Sequence, residues 1–469
     1  MENKDLFLIL VLCAAIFTRV PYVFQESVWN DETVYMWLGG QIFHNPLFLF
    51  SQTVAYHSYG YLLDISTAVL SIFTSGFYAS RIATFLVALL GVALVYKLTS
   101  EVTNEWGGLA AGFILAFNSQ HSFFSVRSLT DVWLATTLTL FTYAASRYKG
   151  KKEDGILMGI ATILAMMSRV SGVLVIGLAG LFALREIVKK NFNKGLTYFI
   201  GIMGGLFVIL MAANFIFFGS PMQFGGASLK GGIFTGSRSY YISAAPAIYS
   251  LPVFLLAIIG MYFALKDERM HFVAGGFLIY FFWFSILAGE KVPRYVLQTV
   301  PLAAVLSVFG LYKIVEGLEL DKRLVGLGII LALLTYPLVG PLLSQRALTY
   351  TGFQDLGKSI KNLDAQHHFS QVYAQSARQI REFSSIEYVG DGGRLQSLPQ
   401  NVSDLLGESN ILVELDLWEY TGPSWAYPLD QNKLNALLAL NFTIVNVVQK
   451  DILTQSGPQK SPVGFILVK

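Results

Sequence analysis

The chain has 469 residues, 54% of them hydrophobic and only 13% charged, with a mean hydropathy of +0.55. Soluble globular chains carry about 25% charged residues, so this composition excludes an ordinary soluble enzyme and indicates a polytopic membrane protein. A formal net charge of +3 offers no concentrated basic surface for nucleic acid, and the single cysteine, Cys13, excludes an intramolecular disulfide.

Apolar stretches long enough to cross a hydrocarbon core of about 30 Å follow one another with short polar breaks. They predict about 11 membrane-spanning helices, near 6–24, 79–98, 106–119, 129–147, 154–168, 170–187, 195–218, 246–265, 271–288, 295–313 and 324–343. Met1-Glu2-Asn3-Lys4 precedes the first without a small-residue cleavage pattern, so that span reads as a retained helix. Basic residues crowd the breaks Arg147-Tyr148-Lys149-Gly150-Lys151-Lys152, Arg185 to Lys194, Lys266 to Arg269 and Lys322-Arg323. Positive loops face the cytoplasm, and a cytoplasmic N-terminus puts all four there. The loops 25–78, 119–128, 219–245 and 289–294, with everything after 343, then lie outside. The expected location is the plasma (cytoplasmic) membrane, crossed many times.

Within the first outer loop, 31–43 carries Val34, Trp37, Leu38 and Ile42 at helical spacing, with Asn30 as its N-cap. It is too short to cross and predicts a helix lying in the interface. A second short apolar helix, 59–73, is interrupted by Asp64 and is placed there too. After Pro341 the composition becomes ordinary. Strands are predicted at 371–374, 386–389, 411–415, 443–448 and 465–468, with helices near 354–363, 376–383 and 431–440. The chain thus divides into a membrane domain, 1–344, and a small extracytoplasmic α/β domain, 345–469. Both acceptor sequons, Asn401-Val402-Ser403 and Asn441-Phe442-Thr443, fall in the latter.

The chemistry-bearing residues gather on the outer side. Asp31 and Glu32 follow the first span and Trp29 at once. An acidic pair beside hydrocarbon is expensive and suggests a task. Favouring a helix N-terminus would account for about 0.3–1 kcal/mol of that, and a general base for an acceptor hydroxyl is the sharper reading. Arg81, Arg127, Arg169, Lys291 and Arg294 stand at membrane level against the charge rule, so each wants a partner. A bound phosphate would serve, as would Asp131, Asp64 or Glu290. Arg81, at a helix start, reads as structural, snorkelling to the headgroups. His44, His57 and His121 show no metal-ligand spacing, and His57-Ser58-Tyr59 suits either a sugar hydroxyl or a loop end. His367-His368 belongs to the tail surface. No GxSxG, Walker A loop or dinucleotide fingerprint is present. The glycine-rich stretch from Phe224 to Gly232 would suit a lid over a lipid-facing cavity.

The ordered set of short motifs resembles the GT-C superfamily of membrane glycosyltransferases, above all the branch of protein O-mannosyltransferases and bacterial aminoarabinose transferases. The matching pieces are Asp31-Glu32, the segment 57–63, Ala79-Ser80-Arg81, Arg127-Ser128-Leu129-Thr130-Asp131, Ser168-Arg169, and Pro293-Arg294-Tyr295 ahead of Pro301. Together they cover about the first 310 residues. Three details depart from the family pattern: His57-Ser58-Tyr59-Gly60 replaces His-Pro-Pro, Arg169 stands where many members have lysine, and the two acids are adjacent.

The resemblance implies transfer of a sugar, mannose or a related hexose, from a polyprenyl-phosphate carrier to a protein, glycolipid or lipid-linked glycan on the outer face. It makes Asp31 the base that deprotonates the acceptor, with Glu32 orienting acceptor or base. Arg294, Lys291, Arg127 and Arg169 would hold the leaving phosphate, with Asp131 orienting Arg127 or the interfacial helix and with Asp131, His57 and Tyr295 counted among the substrate-binding residues. Attack opposite the phosphate would invert the anomeric centre. The partners expected are the donor, the acceptor and membrane lipids, with no nucleic acid. No cofactor is required, no metal site is assigned, and the acids leave room for a divalent ion. A transporter or lipid flippase would also want membrane charges but should show repeat symmetry, which is absent. A non-catalytic relative would have less use for both acids.

Overall fold

The computed structural model describes residues 3–24, 28–51, 60–218, 237–287, 291–319, 321, 338–342, 352–389, 392–416, 431–454 and 457–469. It forms two compact units: Met1–Val23 with Tyr35–Leu342, and Phe24–Val34 with Leu343–Lys469.

Among the described residues the first unit is built of helices, and the helix Asn30–His44 has its first residues in the second unit. α1 (Asn3–Phe17) and α2 (Val20–Val23) are separated at Thr18 and Arg19. Pro21 has no N–H to return to Phe17, so the helix cannot run on unbroken. α3 (Asn30–His44) begins where Glu32 Oε2 accepts the Trp29 amide at 2.8 Å. That reach-back satisfies a donor that no helical carbonyl could. Leu38 and Ile42 are buried, as their spacing required. Gly39 of α3 packs so closely on α4 (Tyr61–Leu70) that a Cβ there would strike Thr67.

The remaining helices of this unit are α5 (Gly76–Val102), α6 (Glu105–Phe117), α7 (Ser119–Phe124), α8 (Thr130–Ser146), α9 (Lys152–Ser168), α10 (Leu174–Val188), α11 (Lys194–Phe218), α12 (Tyr240–Tyr249), α13 (Leu251–Ala264), α14 (His271–Phe282) and α15 (Val300–Gly317). A π turn, Trp283–Leu287, prolongs α14, and a 3-10 segment, Pro293–Thr299, leads into α15. Among the described residues, four stretches are long and apolar enough to cross a membrane: Asp5–Val23, Gly76–Val102, Val170–Val188 and Pro293–Gly317. A fifth results if α12 and α13 count as one span.

That pair replaces the continuous helix expected near 246–265 with two helices. The two helices bend by 111° at Ser250, whose φ of 65° breaks the α-helical path ahead of Pro252. The span expected near 324–343 lies largely outside the described residues. α13 and α15 pack through two glycines; a Cβ on Gly310 would sit 2.6 Å from the Gly260 nitrogen. Small residues let helix backbones approach where lipid supplies no hydrophobic drive.

The second unit carries a five-stranded sheet in the order β2-β1-β3-β5-β4. β1 (Gln371–Ala374), β2 (Leu395–Ser397) and β3 (Ile411–Asp416) are parallel, with Val372 opposite both Leu395 and Leu412. β4 (Thr443–Thr454) and β5 (Gly457–Val468) form an antiparallel hairpin beside β3. β3 is buried along its length, as a central strand covered on both faces must be. One face holds Val372, Ala374, Leu412 and Ile466 against α16 (Phe353–His367) and α17 (Ala377–Ser384). The other holds Tyr373, Val413 and Leu415 against α18 (Gln431–Ala439).

Three strands differ from expectation: β4 and β5 extend to 12 residues each, well beyond 443–448 and 465–468, and a third is displaced. The run 386–389 makes only an isolated bridge at Tyr388, and its partner Leu395 begins the real edge strand. A three-residue edge strand needs one apolar residue in register with the core, and Leu395, wholly buried, supplies it.

Candidate active site

The first unit brings three separated sequence segments together at Gly60. A Cβ on this residue would collide with the Ser168 carbonyl oxygen and come within 2.7 Å of Thr130 Cγ2. Its φ of −170° is ordinary extended backbone, so the glycine is required for proximity alone. The start of α4, the start of α8 and the end of α9 therefore meet at one point. A bond of 3.0 Å between the Thr137 and Ser168 hydroxyls fastens the two longer helices beside it.

One residue beyond each contact stands a charge. Asp131 in the first turn of α8 pairs with Arg169, which closes α9. The pair is nearly shielded from outside, with side-chain exposures of 3% and 15%. Asp131 thus has Arg169 as a partner, one of the internal pairings the sequence allowed. A carboxylate at a helix N-terminus also gains from the helix dipole. The guanidinium carbon of Arg169 lies 4.9 Å from the Tyr295 ring centroid, and that of Arg294 lies 5.5 Å from the same ring. A single aromatic ring, on the 3-10 segment before α15, therefore joins two of the sequence-nominated arginines. Tyr280 holds the turn after Arg169 by donating to the Ser171 carbonyl at 2.9 Å.

Lys291 precedes the same 3-10 segment. Its Nζ donates to the carbonyls of Phe284 and Ser285, the latter at 2.9 Å, both within the π turn. Tyr241 of α12 pins the next residue, donating to the Val292 carbonyl at 2.9 Å. Arg127 is fully buried ahead of α8; Nη1 donates to the Phe123 carbonyl at 3.1 Å and the guanidinium stacks on the Phe123 ring. A 2.6 Å bond between the Ser80 and Ser128 hydroxyls ties this loop to α5.

Arg81 corrects its expected placement. It does not snorkel outward but is 0% exposed, donating to the Val23 carbonyl at 3.1 Å and lying over Phe77. A helix start packed inside the unit leaves the guanidinium no route to headgroups, so a backbone carbonyl receives it.

Asp31 and Glu32 occupy the first turn of α3. Glu32 is wholly buried and accepts from the Trp29 amide, whereas Asp31 is partly exposed. His57, Glu290 and the glycine-rich stretch 224–232 lie outside the described residues. His44, His367 and His368 are exposed. Among the described residues no group of three or more His, Cys, Asp or Glu side chains could hold a metal ion. A position missing from the sequence reading is Arg19, which is wholly buried and bonded to His121 at 2.9 Å. Its signal was a lone cation near the end of an apolar run.

Comparison with known proteins follows the same outline. Residues 59–214 match the family of dolichyl-phosphate-mannose-protein mannosyltransferases. No curated protein matches the chain by sequence. Among solved structures, ArnT from Cupriavidus metallidurans in its apo state aligns over 99% of this chain and 97% of its own, with a TM-score of 0.62 at 13% identity. The same protein bound to undecaprenyl phosphate gives 0.63 at 12% identity, with the same coverage. The oligosaccharyltransferase AglB from Archaeoglobus fulgidus, in complex with an inhibitory peptide and a dolichol-phosphate, gives 0.59 at 12% identity, covering 88% of this chain and 69% of that one.

Proposed function

The chain has the fold of the GT-C membrane glycosyltransferases, and from that premise we propose that it transfers a sugar from a polyprenyl-phosphate carrier to an acceptor at the outer membrane face. The observation that carries the reading is the meeting of Arg169 and Arg294 on Tyr295, beside the junction of Gly60, Thr130 and Ser168. Guanidinium groups match phosphate geometry through parallel hydrogen bonds. The similar ArnT binds undecaprenyl phosphate, which fits a lipid phosphate as the ligand of these arginines here.

In the proposed reaction Asp31 takes the proton of an acceptor hydroxyl. The freed oxygen forms a bond to the anomeric carbon, and the bond from that carbon to the phosphate oxygen breaks with its electron pair. The phosphate leaves with added negative charge, which Arg294, Lys291, Arg127 and Arg169 stabilise more than they stabilise the bound donor. One displacement inverts the anomeric centre. Glu32 holds the start of α3 through the Trp29 amide and so positions its neighbour. Asp131 orients Arg169, and His57 and Tyr295 line the donor side. The step as written uses no cofactor; unimpaired transfer in chelator supports that, whereas recovery on adding a divalent ion would assign a metal beside Asp31.

The proposal includes about 11 spans, a cytoplasmic N-terminus, the α/β unit outside the cell, and mannose or a related hexose as the sugar. Protein, glycolipid and lipid-linked glycan remain the three acceptor classes. The test uses purified full-length chain and labelled polyprenyl-phosphate mannose. Asp31→Asn should lower transfer by about 10²–10⁴ while donor binding persists. Full transfer by that variant removes the catalytic assignment, and unchanged donor binding by Arg294→Ala removes the phosphate assignment.

A further inference from the structure

Arg19 lies between α1 and α2 with its guanidinium wholly buried. Nη1 donates to the carbonyls of Ala15 at 3.1 Å and Ala116 at 2.9 Å and to the Thr18 hydroxyl at 2.7 Å. Nη2 reaches the Leu115 carbonyl at 3.4 Å and His121 Nδ1 at 2.9 Å. Leu115 and Ala116 stand in the last turn of α6, where carbonyls lack helical donors and a cation is favoured. One side chain thus joins the end of the first span, the end of α6 and the short helix α7.

α7 has six residues, too few to be stable by its own hydrogen bonds. Its place is set by what holds it. Ser122 donates to the Thr18 carbonyl at 3.1 Å, and Asn118 caps it at His121 N while reaching the Ile248 carbonyl at 2.8 Å. Arg19 supplies the third tie, through His121. Two residues after His121 comes Phe123, whose ring and carbonyl together receive Arg127. α7 also borders the 3-10 segment that carries Arg294 and Tyr295.

We propose that Arg19 is a positioning residue for the transfer site, acting through His121 and α7 to set where Arg127 stands. The inference rests on the reading of Arg127 as a phosphate-holding group. Stability alone explains the arrangement poorly. Accepting from Arg19 at Nδ1 puts the His121 proton on Nε2, which is buried with no partner among the described residues. A buried donor left without an acceptor costs about 1–3 kcal/mol.

The test is a double-mutant cycle on the full-length protein in detergent, with undecaprenyl phosphate as probe and its affinity as readout. Arg127→Ala and Arg19→Met should each weaken binding at least about tenfold, and the double variant should fall no more than about twofold below Arg127→Ala, because coupled residues do not add. Arg19→Lys keeps the charge but lacks the fork that spans carbonyls and imidazole, so it should resemble Arg19→Met; full recovery by lysine would overturn the proposal. Should Arg19→Met not fold, His121→Phe cuts the tie to α7 while leaving the carbonyl bonds of Arg19 intact, and it should show the same loss. Losses that multiply in the double variant, or wild-type affinity in Arg19→Met or His121→Phe, overturn it. Wild-type affinity in Arg127→Ala instead sinks the underlying phosphate reading, a separable result.

Discussion

Gly60→Ala is the most informative single change, because it adds one methyl group at the point where three segments of the site touch. The new carbon would come within 2.7 Å of Thr130 Cγ2 and would overlap the Ser168 carbonyl oxygen. Non-bonded carbons prefer about 3.5–4.0 Å, so the start of α4 must retreat by roughly 1 Å from α8 and α9. The oxygen is backbone and cannot rotate away. Overpacking of this kind costs about 1–3 kcal/mol of stability, which a membrane bundle can absorb. The displacement is the graver effect: Thr130 and Ser168 immediately precede Asp131 and Arg169, and a misplacement of about 1 Å costs on the order of 10² in rate. The assay is initial-rate transfer from labelled polyprenyl-phosphate mannose by detergent-purified protein, with thermal unfolding measured on the same samples. Gly40→Ala is the control, since a Cβ there meets nothing within 4 Å, and it should keep full activity. Gly60→Ala with transfer within about twofold of wild type would refute the claim that this junction sets the site.

Asp131→Asn should destabilise the folded protein by about 3–5 kcal/mol, since it strips a largely buried arginine of its carboxylate; an additional Arg169→Met change should recover part of that loss in thermal unfolding. Gly260→Leu should separate α13 from α15, whose backbones meet there, and lower the yield of monodisperse protein far below that of a lipid-facing control such as Leu255→Ala. In the α/β unit, Glu414 and Asp416 end β3 in full burial, and the Gln375 amide donates to Glu414 at 3.1 Å. Burial raises both carboxyls, Asp416 to about 6 and Glu414 above its usual range, helped by the adjacent acid. The folded unit therefore holds protons that the unfolded chain releases near pH 4, so its stability is greatest in acid and declines as pH rises through 6. Hydrogen exchange at 411–416 in the full-length protein should report a smaller opening free energy at pH 7.5 than at pH 5, and Glu414→Gln should flatten the difference; a larger value at pH 7.5 contradicts the sign.

Much of the helical framework was legible because apolar run length and charged breaks are read one segment at a time. The α3 start at Asn30 and strands β1 and β3 emerged for the same reason: local periodicity and burial agreed. What escaped depends on partners distant in sequence. The bend at Ser250 lies in a run whose mean apolarity reads as one span, so the local signals of Ser250 and Pro252 are outweighed in a reading by hydropathy. The edge strand at Leu395 is set by register against Val372, and the stronger apolar run at 386–389 outcompeted it on propensity alone. Among the residues proposed for the site, Arg127, Arg169, Lys291 and Arg294 stand out in the sequence as cations that the expected topology puts against the charge rule. Their surroundings do not: the stacking of Arg127 on Phe123, the two arginines meeting on Tyr295 and the close approach at Gly60 become evident only when helices are assembled. Arg81 shows the same limit, since a cation at a helix start looks identical in sequence whether it faces lipid headgroups or the Val23 carbonyl.

The fold aligns with solved structures over 99% of the chain at only 12–13% identity, and the proposed site residues suggest where sequence should be constrained. Each site element sits at a helix junction: Gly60 caps α4, Leu129 precedes α8, Arg169 closes α9, and Pro293 opens the 3-10 segment before α15. Spans between junctions need only be apolar and of suitable length, a condition that many sequences meet. Junctions must instead deliver one side chain or one backbone contact to a fixed point. Volume-conserving exchanges within spans, such as Leu138→Met in α8, should therefore leave transfer nearly unchanged, because interiors tolerate swaps that conserve volume. Equally small changes at junctions should not. If a panel of mid-span exchanges reduced transfer as much as Gly60→Ala does, the chemistry would have to reside in the packing of the spans themselves, and its assignment to the helix ends would be wrong.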